Sequence, residues 1–184
     1  MKILALIGSP RKRGNTDILV NEICRGLKTK RHAVEAIHLY DYEILPCLDC
    51  RHCKRSEADY TCPLMDGMQV IYPKLEDSEL IIFGTPVYWY GPTAKMKLLI
   101  DRLRPFIASR RLKGKIGIVV VPSEEGPDCC GALMEMFRRS FDYLGMKMVG
   151  SILARAYERG EIEKNPEEIR RAYELGLSCR IRED

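Results

Sequence analysis

The chain has 184 residues, 46% of them hydrophobic and 30% charged, with a formal net charge of +4. That length suits one domain, 1–184, with a sizeable core and leaves no room for a second catalytic domain. The 30 lysines and arginines are dispersed among 26 acidic residues rather than gathered into a basic stripe, which argues against a nucleic-acid partner.

The first predicted strand, Lys2 to Ile7, is an apolar run that stops at Gly8. It is too short for a signal sequence or a membrane span, so the expectation is a cytoplasmic protein without membrane contact. For such a chain, eight cysteines point to metal or redox use rather than to disulfides. The strand leads through Gly8-Ser9-Pro10-Arg11-Lys12-Arg13-Gly14-Asn15-Thr16 into a helix whose apolar stripe is Leu19, Ile23 and Leu27. Backbone amides, hydroxyls and a helix N-terminus make this loop a phosphate cradle. It lacks the third-position glycine of G-x-G-x-x-G and the lysine of the P-loop, which excludes the usual dinucleotide and nucleoside-triphosphate readings. A terminal monophosphate such as that of FMN fits, with Ser9, Asn15 and Thr16 as donors and Arg11 as charge partner. The competing reading is a basic surface turn capped by Asn15.

A second strand follows at Ala33 to Leu39; His32 and His38 are read as structural and Asp41 as a turn residue. Next comes the segment 46–63, where Cys47, Cys50, Cys53 and Cys62 stand in a C-x2-C-x2-C-x8-C run. Such a run lets three thiolates reach neighbouring corners of one iron–sulfur cubane while a fourth closes the set. Structural zinc sites draw on two separated C-x2-C pairs, so the spacing favours a cluster over zinc, with unmetallated thiols as the third reading. Arg51, His52, Lys54 and Arg55 would temper a cluster's negative charge or serve as solvated loop charges.

The third strand, Leu80 to Gly84, opens onto Gly84-Thr85-Pro86-Val87-Tyr88-Trp89-Tyr90-Gly91-Pro92, which carries the single tryptophan. Three consecutive aromatics cannot all enter the core from a loop. Thr85 to Trp89 are therefore candidates to line a flat isoalloxazine ring, or to make an oligomer contact. A helix with Met96, Leu99, Ile100 and Leu103 on one face follows, then a strand at Lys115 to Val121. The next turn, 122–127, would lie by the ring's far edge, with Ser123 and Gly126 as candidate contacts. Cys129 and Cys130 stand at the start of a helix that presents Leu133, Met136, Phe137, Phe141 and Leu144, a place where a thiol can be activated, but the pair is read, like Cys24 and Cys179, as inert. A strand at Lys147 to Ala154 and a helix opened by Asn165-Pro166 complete the chain. The alternation predicts an α/β fold, a doubly wound five-stranded parallel sheet with helices on both faces, whose ligands sit at the strands' carboxyl ends.

Gly8-Ser9-Pro10-Arg11 with Gly14-Asn15-Thr16, together with Gly84-Thr85-Pro86-Val87-Tyr88-Trp89-Tyr90-Gly91 running into Ile100-Asp101-Arg102, resembles the flavodoxin-like NAD(P)H-dependent FMN reductases over roughly the first 125 residues. The cysteine loop resembles their iron–sulfur flavoprotein branch, which carries a tighter C-x2-C-x2-C-x5-C run. The resemblance implies FMN phosphate at Ser9, Arg11, Asn15 and Thr16, the ring along Pro86 to Trp89, and a [4Fe-4S] cluster on Cys47, Cys50, Cys53 and Cys62. It further implies ferredoxin or NAD(P)H as electron donor and a homo-oligomer, dimer or tetramer. The alternatives are a cluster-free NAD(P)H-dependent FMN or quinone reductase, and a zinc-stabilised or thiol-based redox-sensing flavin-binding protein.

Overall fold

The computed structural model describes residues 1–55 and 59–179. Five strands, β1 (Lys2–Ile7), β2 (Ala33–His38), β3 (Leu80–Gly84), β4 (Ile116–Ser123) and β5 (Lys147–Arg155), form one parallel sheet in the order β2-β1-β3-β4-β5. This is the flavodoxin-like doubly wound arrangement, with its switch point between β1 and β3. The central strands are apolar on both faces because each face is covered by helices. On one side Ile3, Ala5 and Ile7 meet α1 (Asn15–Lys28) and α6 (Pro166–Ser178). On the other, Leu4, Leu6, Ile81 and Phe83 pack beneath α2 (Met68–Asp77), α3 (Ala94–Asp101), α4 (Pro105–Ser109) and α5 (Gly131–Leu144). There Phe83, Phe137 and Phe141 stack pairwise, with centroids 5.2 to 5.9 Å apart.

The strand ends differ slightly from the sequence reading. Strand β2 stops at His38 because Leu39 enters a 3-10 turn. Strand β4 continues through Pro122 to Ser123, since β3 ends opposite Val120 and the missing proline N–H then leaves no ladder bond unmade. Helix α2 had no sequence prediction, because Pro73 interrupts it. It forms nonetheless, as Met68, Ile71 and Leu75 bury one face completely. Helix α6 starts as read, with the Asn165 side chain accepting from the Glu168 amide and Pro166 in the first turn.

Helices α1 and α6 cross backbone to backbone. A Cβ on Gly26 would overlap the Tyr173 carbonyl oxygen, and one on Gly176 would overlap the Ile23 carbonyl. Both neighbours are main chain, so the helices must separate to admit a methyl group.

The opposite face carries a buried ion pair. Arg102, at the end of α3, and Asp66, before α2, are 1% and 2% exposed. The Arg102 guanidinium donates to both Asp66 oxygens, at 2.6 and 3.2 Å, and to the Leu45 carbonyl at 2.8 Å. Asp66 also accepts from the amides of Leu45 (2.8 Å) and Met68 (2.9 Å). The Tyr72 hydroxyl donates to the Arg102 carbonyl at 2.8 Å. Burial alone would push the Asp66 carboxyl up, but Arg102 and the two amides outweigh it and hold the carboxyl below its ordinary value.

Two measurements check this account. Gly176→Ala should destabilise the chain by about 1–3 kcal/mol, the usual cost of overpacking, read as a lower denaturation midpoint. Asp66→Ala strands a buried guanidinium and should cost about 3–5 kcal/mol near neutral pH. Because the folded Asp66 is more acidic than the unfolded one, its contribution is complete above about pH 4 and is lost as pH falls through the folded value below that. The gap in melting temperature between wild type and Asp66→Ala should therefore be constant near neutrality and narrow in stronger acid.

Candidate functional site

At the carboxyl edge of the sheet an open cleft is lined by Ser9, Arg11, Asn15, Thr16, Pro86, Val87, Tyr88, Pro122, Ser123, Glu124, Ala156 and Tyr157. It lies over the β1/β3 switch point and draws on the loops after β1, β3, β4 and β5. The loop after β1 is held by short-range chemistry. The Arg11 amide donates to the Ser9 hydroxyl at 3.2 Å, and Arg13 takes a left-handed conformation (φ 56°) that turns the chain toward α1. The helix begins at Gly14, which has no side-chain cap, so the reading of Asn15 as a simple surface cap does not hold. Instead Asn15 is buried, its amide donating to the Glu158 carbonyl (2.8 Å) and its oxygen accepting from the Ile162 amide (3.2 Å). It fastens the loop after β5 to the loop after β1. Arg11 donates to the Tyr157 carbonyl at 3.0 Å, and Arg159 donates to the Lys12 carbonyl at 2.6 Å.

Charge around this loop is mostly positive: Arg11, Lys12, Arg13 and Arg159 all belong to it or cross it. Lys12 pairs with the exposed Asp41 at 2.7 Å. Beneath lies Asp17, 3.6 Å from His38 and accepting from the Arg13 amide at 2.7 Å. Burial pushes the Asp17 carboxyl up, against the Arg13 amide and the charges of His38, Lys12 and Arg159.

The loop after β3 is built as a tight hairpin. Tyr88 and Gly91 exchange backbone hydrogen bonds at 2.8 and 3.0 Å across Trp89 and Tyr90, both with positive φ (50° and 59°). Side chains there are strained by about 1–3 kcal/mol each, a load usually borne at functional positions. The turn leaves Trp89 97% exposed. Thr93 joins the loops by donating to the Gly8 carbonyl, while its amide donates to the Thr85 hydroxyl at 3.1 Å.

Of the residues singled out from sequence, Ser9, Arg11, Asn15, Thr16, Pro86, Val87, Tyr88 and Ser123 line the cleft. Three do not. Thr85 is fully buried and braces Thr93. Trp89, almost wholly exposed, stands at the edge of an adjoining cavity lined also by Val87, Tyr90, Ser123, Glu124, Glu125 and Cys129. Gly126 lies behind the wall, its carbonyl accepting from the Ser123 hydroxyl at 2.8 Å. Sequence reasoning missed the loop after β5, which supplies Ala156 and Tyr157. The carboxyl-edge rule applied to the fifth strand, with an aromatic just past its end, would have found it.

The cysteine loop forms a second centre. Cys47, Cys50, Cys53 and Cys62 all line one cavity, walled by Tyr72, Arg102, Arg104 and Pro105. Cys53 is buried, Cys47 and Cys62 half-buried and Cys50 exposed. Asp49 and Arg51, on either side of Cys50, have positive φ (48° and 59°), and a 3-10 turn spans His52–Lys54. Gln69 of α2 holds the Cys62 carbonyl at 3.0 Å, and Arg104 pairs with Asp49 at 3.1 Å. Burial raises the Cys53 thiol, and the neighbouring thiols of Cys62, Cys47 and Cys50 add to it against Arg104. Among the described residues, no three cysteine, histidine or carboxylate side chains converge on a single-ion site. Part of the segment 46–63, residues 56–58, lies outside the described residues. No helix among the described residues is long and apolar enough to cross a membrane.

Several curated relatives are named iron–sulfur flavoprotein, two of them as follows. One, from Methanocaldococcus jannaschii, is 38% identical over 64% of this chain and 59% of its own length, so the chain spans about three-fifths of that relative. The other, from Archaeoglobus fulgidus, is 30% identical over 96% of this chain and 77% of its own. The NAD(P)H:quinone oxidoreductase from Methanothermobacter marburgensis superposes with a TM-score of 0.70 at 16% identity, covering 100% of this chain and 99% of that one, a likeness of fold. The sequence profile of the NADPH-dependent FMN reductases matches residues 1–158, and with the flavodoxin-like sheet and its switch-point cleft it makes this chain a member of that family of flavin-dependent oxidoreductases.

Proposed function

We propose that the protein is an FMN-dependent electron-transfer oxidoreductase of the iron–sulfur flavoprotein kind, passing electrons between ferredoxin or NAD(P)H and an acceptor through FMN and a [4Fe-4S] cluster. The observation that carries this reading is the cleft over the switch point, where Ser9, Arg11 and Thr16 face one end and Pro86, Val87, Tyr88 and Ser123 the other. The residues fit the coenzyme: hydroxyls and a guanidinium for a phosphate at the positive end of α1, a flat apolar wall for a ring. When bound, FMN would supply both hydride and single-electron transfer, and the cluster single-electron transfer.

The chain's own groups have positioning tasks. Arg11, anchored to the Tyr157 carbonyl through one nitrogen, keeps further donors free for an anion. Asn15 holds the loop after β5 against the phosphate loop and so completes the far wall. The hairpin at Tyr88–Gly91 fixes the height of Val87 and Tyr88 above the sheet. Cys47, Cys50, Cys53 and Cys62 all line one cavity and would be the donor set of such a cluster. The exposed Trp89 favours assembly into a homo-oligomer. A second reading, a cluster-free NAD(P)H-dependent FMN or quinone reductase, draws on the eight residues between Cys53 and Cys62.

Two experiments test the proposal. Arg11→Ala should weaken FMN binding roughly 10- to 100-fold, the worth of a charge-assisted hydrogen bond, while riboflavin binding stays within a factor of about two. Equal losses for both flavins would refute the phosphate assignment. Anaerobically purified protein should contain roughly four irons and four acid-labile sulfides per chain, the composition of a cubane. Cys53→Ser should deplete both, with FMN content as the internal control. Flavin without iron supports the cluster-free reading, and stoichiometric zinc overturns both.

A further inference from the structure

We infer that Cys129 and Cys130 form a further redox centre, a vicinal dithiol that accepts two electrons from the flavin and delivers them to a disulfide substrate. The inference rests on the FMN reading above. Neither thiol takes part in the cysteine loop or in the flavin cleft. Cys129 opens into the cavity that adjoins the cleft, and that cavity shares Val87, Ser123 and Glu124 with it. Cys130 is fully buried directly behind Cys129. Both sulfurs converge on one acceptor, each lying 3.4 Å from the Gly126 carbonyl oxygen. The Cys130 sulfur is also 3.7 Å from the hydroxyl of Ser123, whose side chain lines the cleft itself. Thus one thiol faces a cavity beside the cleft, the second shares the Gly126 carbonyl with the first, and Ser123 both touches Cys130 and lines the cleft.

The two residues occupy the junction of the 3-10 turn Gly126–Cys130 with α5, where hydrogen bonding is weakest and backbone rearrangement cheapest. Adjacent Cα atoms are about 3.8 Å apart, below the usual disulfide range of about 4.4–6.8 Å. A bond between such neighbours is strained and easily reduced, as a catalytic disulfide must be. The cavity wall of Val87, Trp89 and Tyr90, with Glu124 and Glu125 at its rim, offers apolar surface to the substrate.

The exchange balances as follows. The Cys129 thiolate attacks one sulfur of the substrate disulfide, whose S–S bond breaks, and the first half leaves as a thiol with a proton from water. Cys130, sealed from water, attacks the Cys129 sulfur, and its proton passes to the second half, which leaves as a thiol. The substrate has gained two electrons, and a Cys129–Cys130 disulfide remains. To return to the dithiol the Cys129–Cys130 disulfide must take up two electrons and two protons; a flavin held in the cleft would supply the electrons, and a ferredoxin or NAD(P)H would re-reduce it.

The full chain loaded with FMN, oxidised with diamide and then titrated anaerobically with dithionite, tests this. Tryptic cleavage after Lys115 and Arg138 isolates peptide 116–138, whose only cysteines are Cys129 and Cys130. After oxidation this peptide should be lighter by two hydrogens, and during titration it should regain two alkylatable thiols in step with flavin reduction. Wild type should consume one two-electron equivalent more than Cys129→Ser or Cys130→Ser, each checked for retained flavin absorbance. Added hydroxyethyl disulfide should then reoxidise the wild-type flavin, and in both variants this should slow at least tenfold. The proposal is overturned if the peptide keeps both thiols after diamide, if the extra equivalent persists in the variants, or if the disulfide leaves the reduced flavin unchanged. Lack of flavin binding, visible before any thiol chemistry, defeats the FMN reading and this inference with it. Loss of coupling with flavin still bound defeats this inference alone.

Discussion

A bidentate ion pair sealed from water, Arg102 with Asp66, holds together the part of this molecule that regular secondary structure does not. The long connection from β2 to α2 leaves the sheet at its carboxyl edge and, among its described residues, carries only the 3-10 turns Leu39–Asp41 and His52–Lys54. Arg102 and Asp66 close that connection at its base, gripping Leu45 through both its amide and its carbonyl. An apolar pair could fill the same volume, and buried ion pairs often add little net stability. Hydrogen bonds have direction, however, and this pair specifies where the two stalks of the cysteine loop stand relative to α3. The placement of four thiols on one cavity follows from that registration.

The cleft over the sheet rests on a different constraint. Parallel strands end at one level, and at the switch point the neighbouring connections leave in opposite directions, so a crevice is unavoidable. Local chemistry then tailors it. Positive-φ backbone at Arg13, Trp89 and Tyr90 bends two of the bordering loops, and the same conformation at Asp49 and Arg51 shapes the cysteine loop. Left-handed side-chain-bearing residues are expensive, and their gathering around the two centres marks where rigid packing is used to hold costly geometry. The cross-links between loops, Thr93 to Gly8 and Asn15 to Glu158 and Ile162, convert separate turns into one frame.

How much of this was legible depends on sequence distance. The loops after β1 and β3 could be read because their glycines, prolines and hydroxyls act on neighbours a few residues away. Helix α6 announced itself through Asn165-Pro166 for the same reason. Helix α2 was hidden, since the penalty of Pro73 is local whereas the burial that overrides it comes from β1 and β3. Arg102 was legible only as the end of the Ile100-Asp101-Arg102 motif, not as half of an ion pair; its partner stands 36 positions earlier. Thr85 and Gly126 were placed against the ligand on position alone, and the structure turns one into a brace for Thr93 and the other into an acceptor behind the wall.

Periodicity and composition by themselves determined the layered architecture, its strand sequence and the two loops that open onto the cleft, because apolar spacing and turn chemistry are short-range properties written in consecutive residues. The tertiary structure alone decided that Cys62 lines the same cavity as Cys47, Cys50 and Cys53, that Asn15 serves the loop after β5, and that Cys129 opens into a cavity beside the cleft. Those outcomes depend on which distant segments pack together, and that is settled by the summed burial of the whole core rather than by any local pattern.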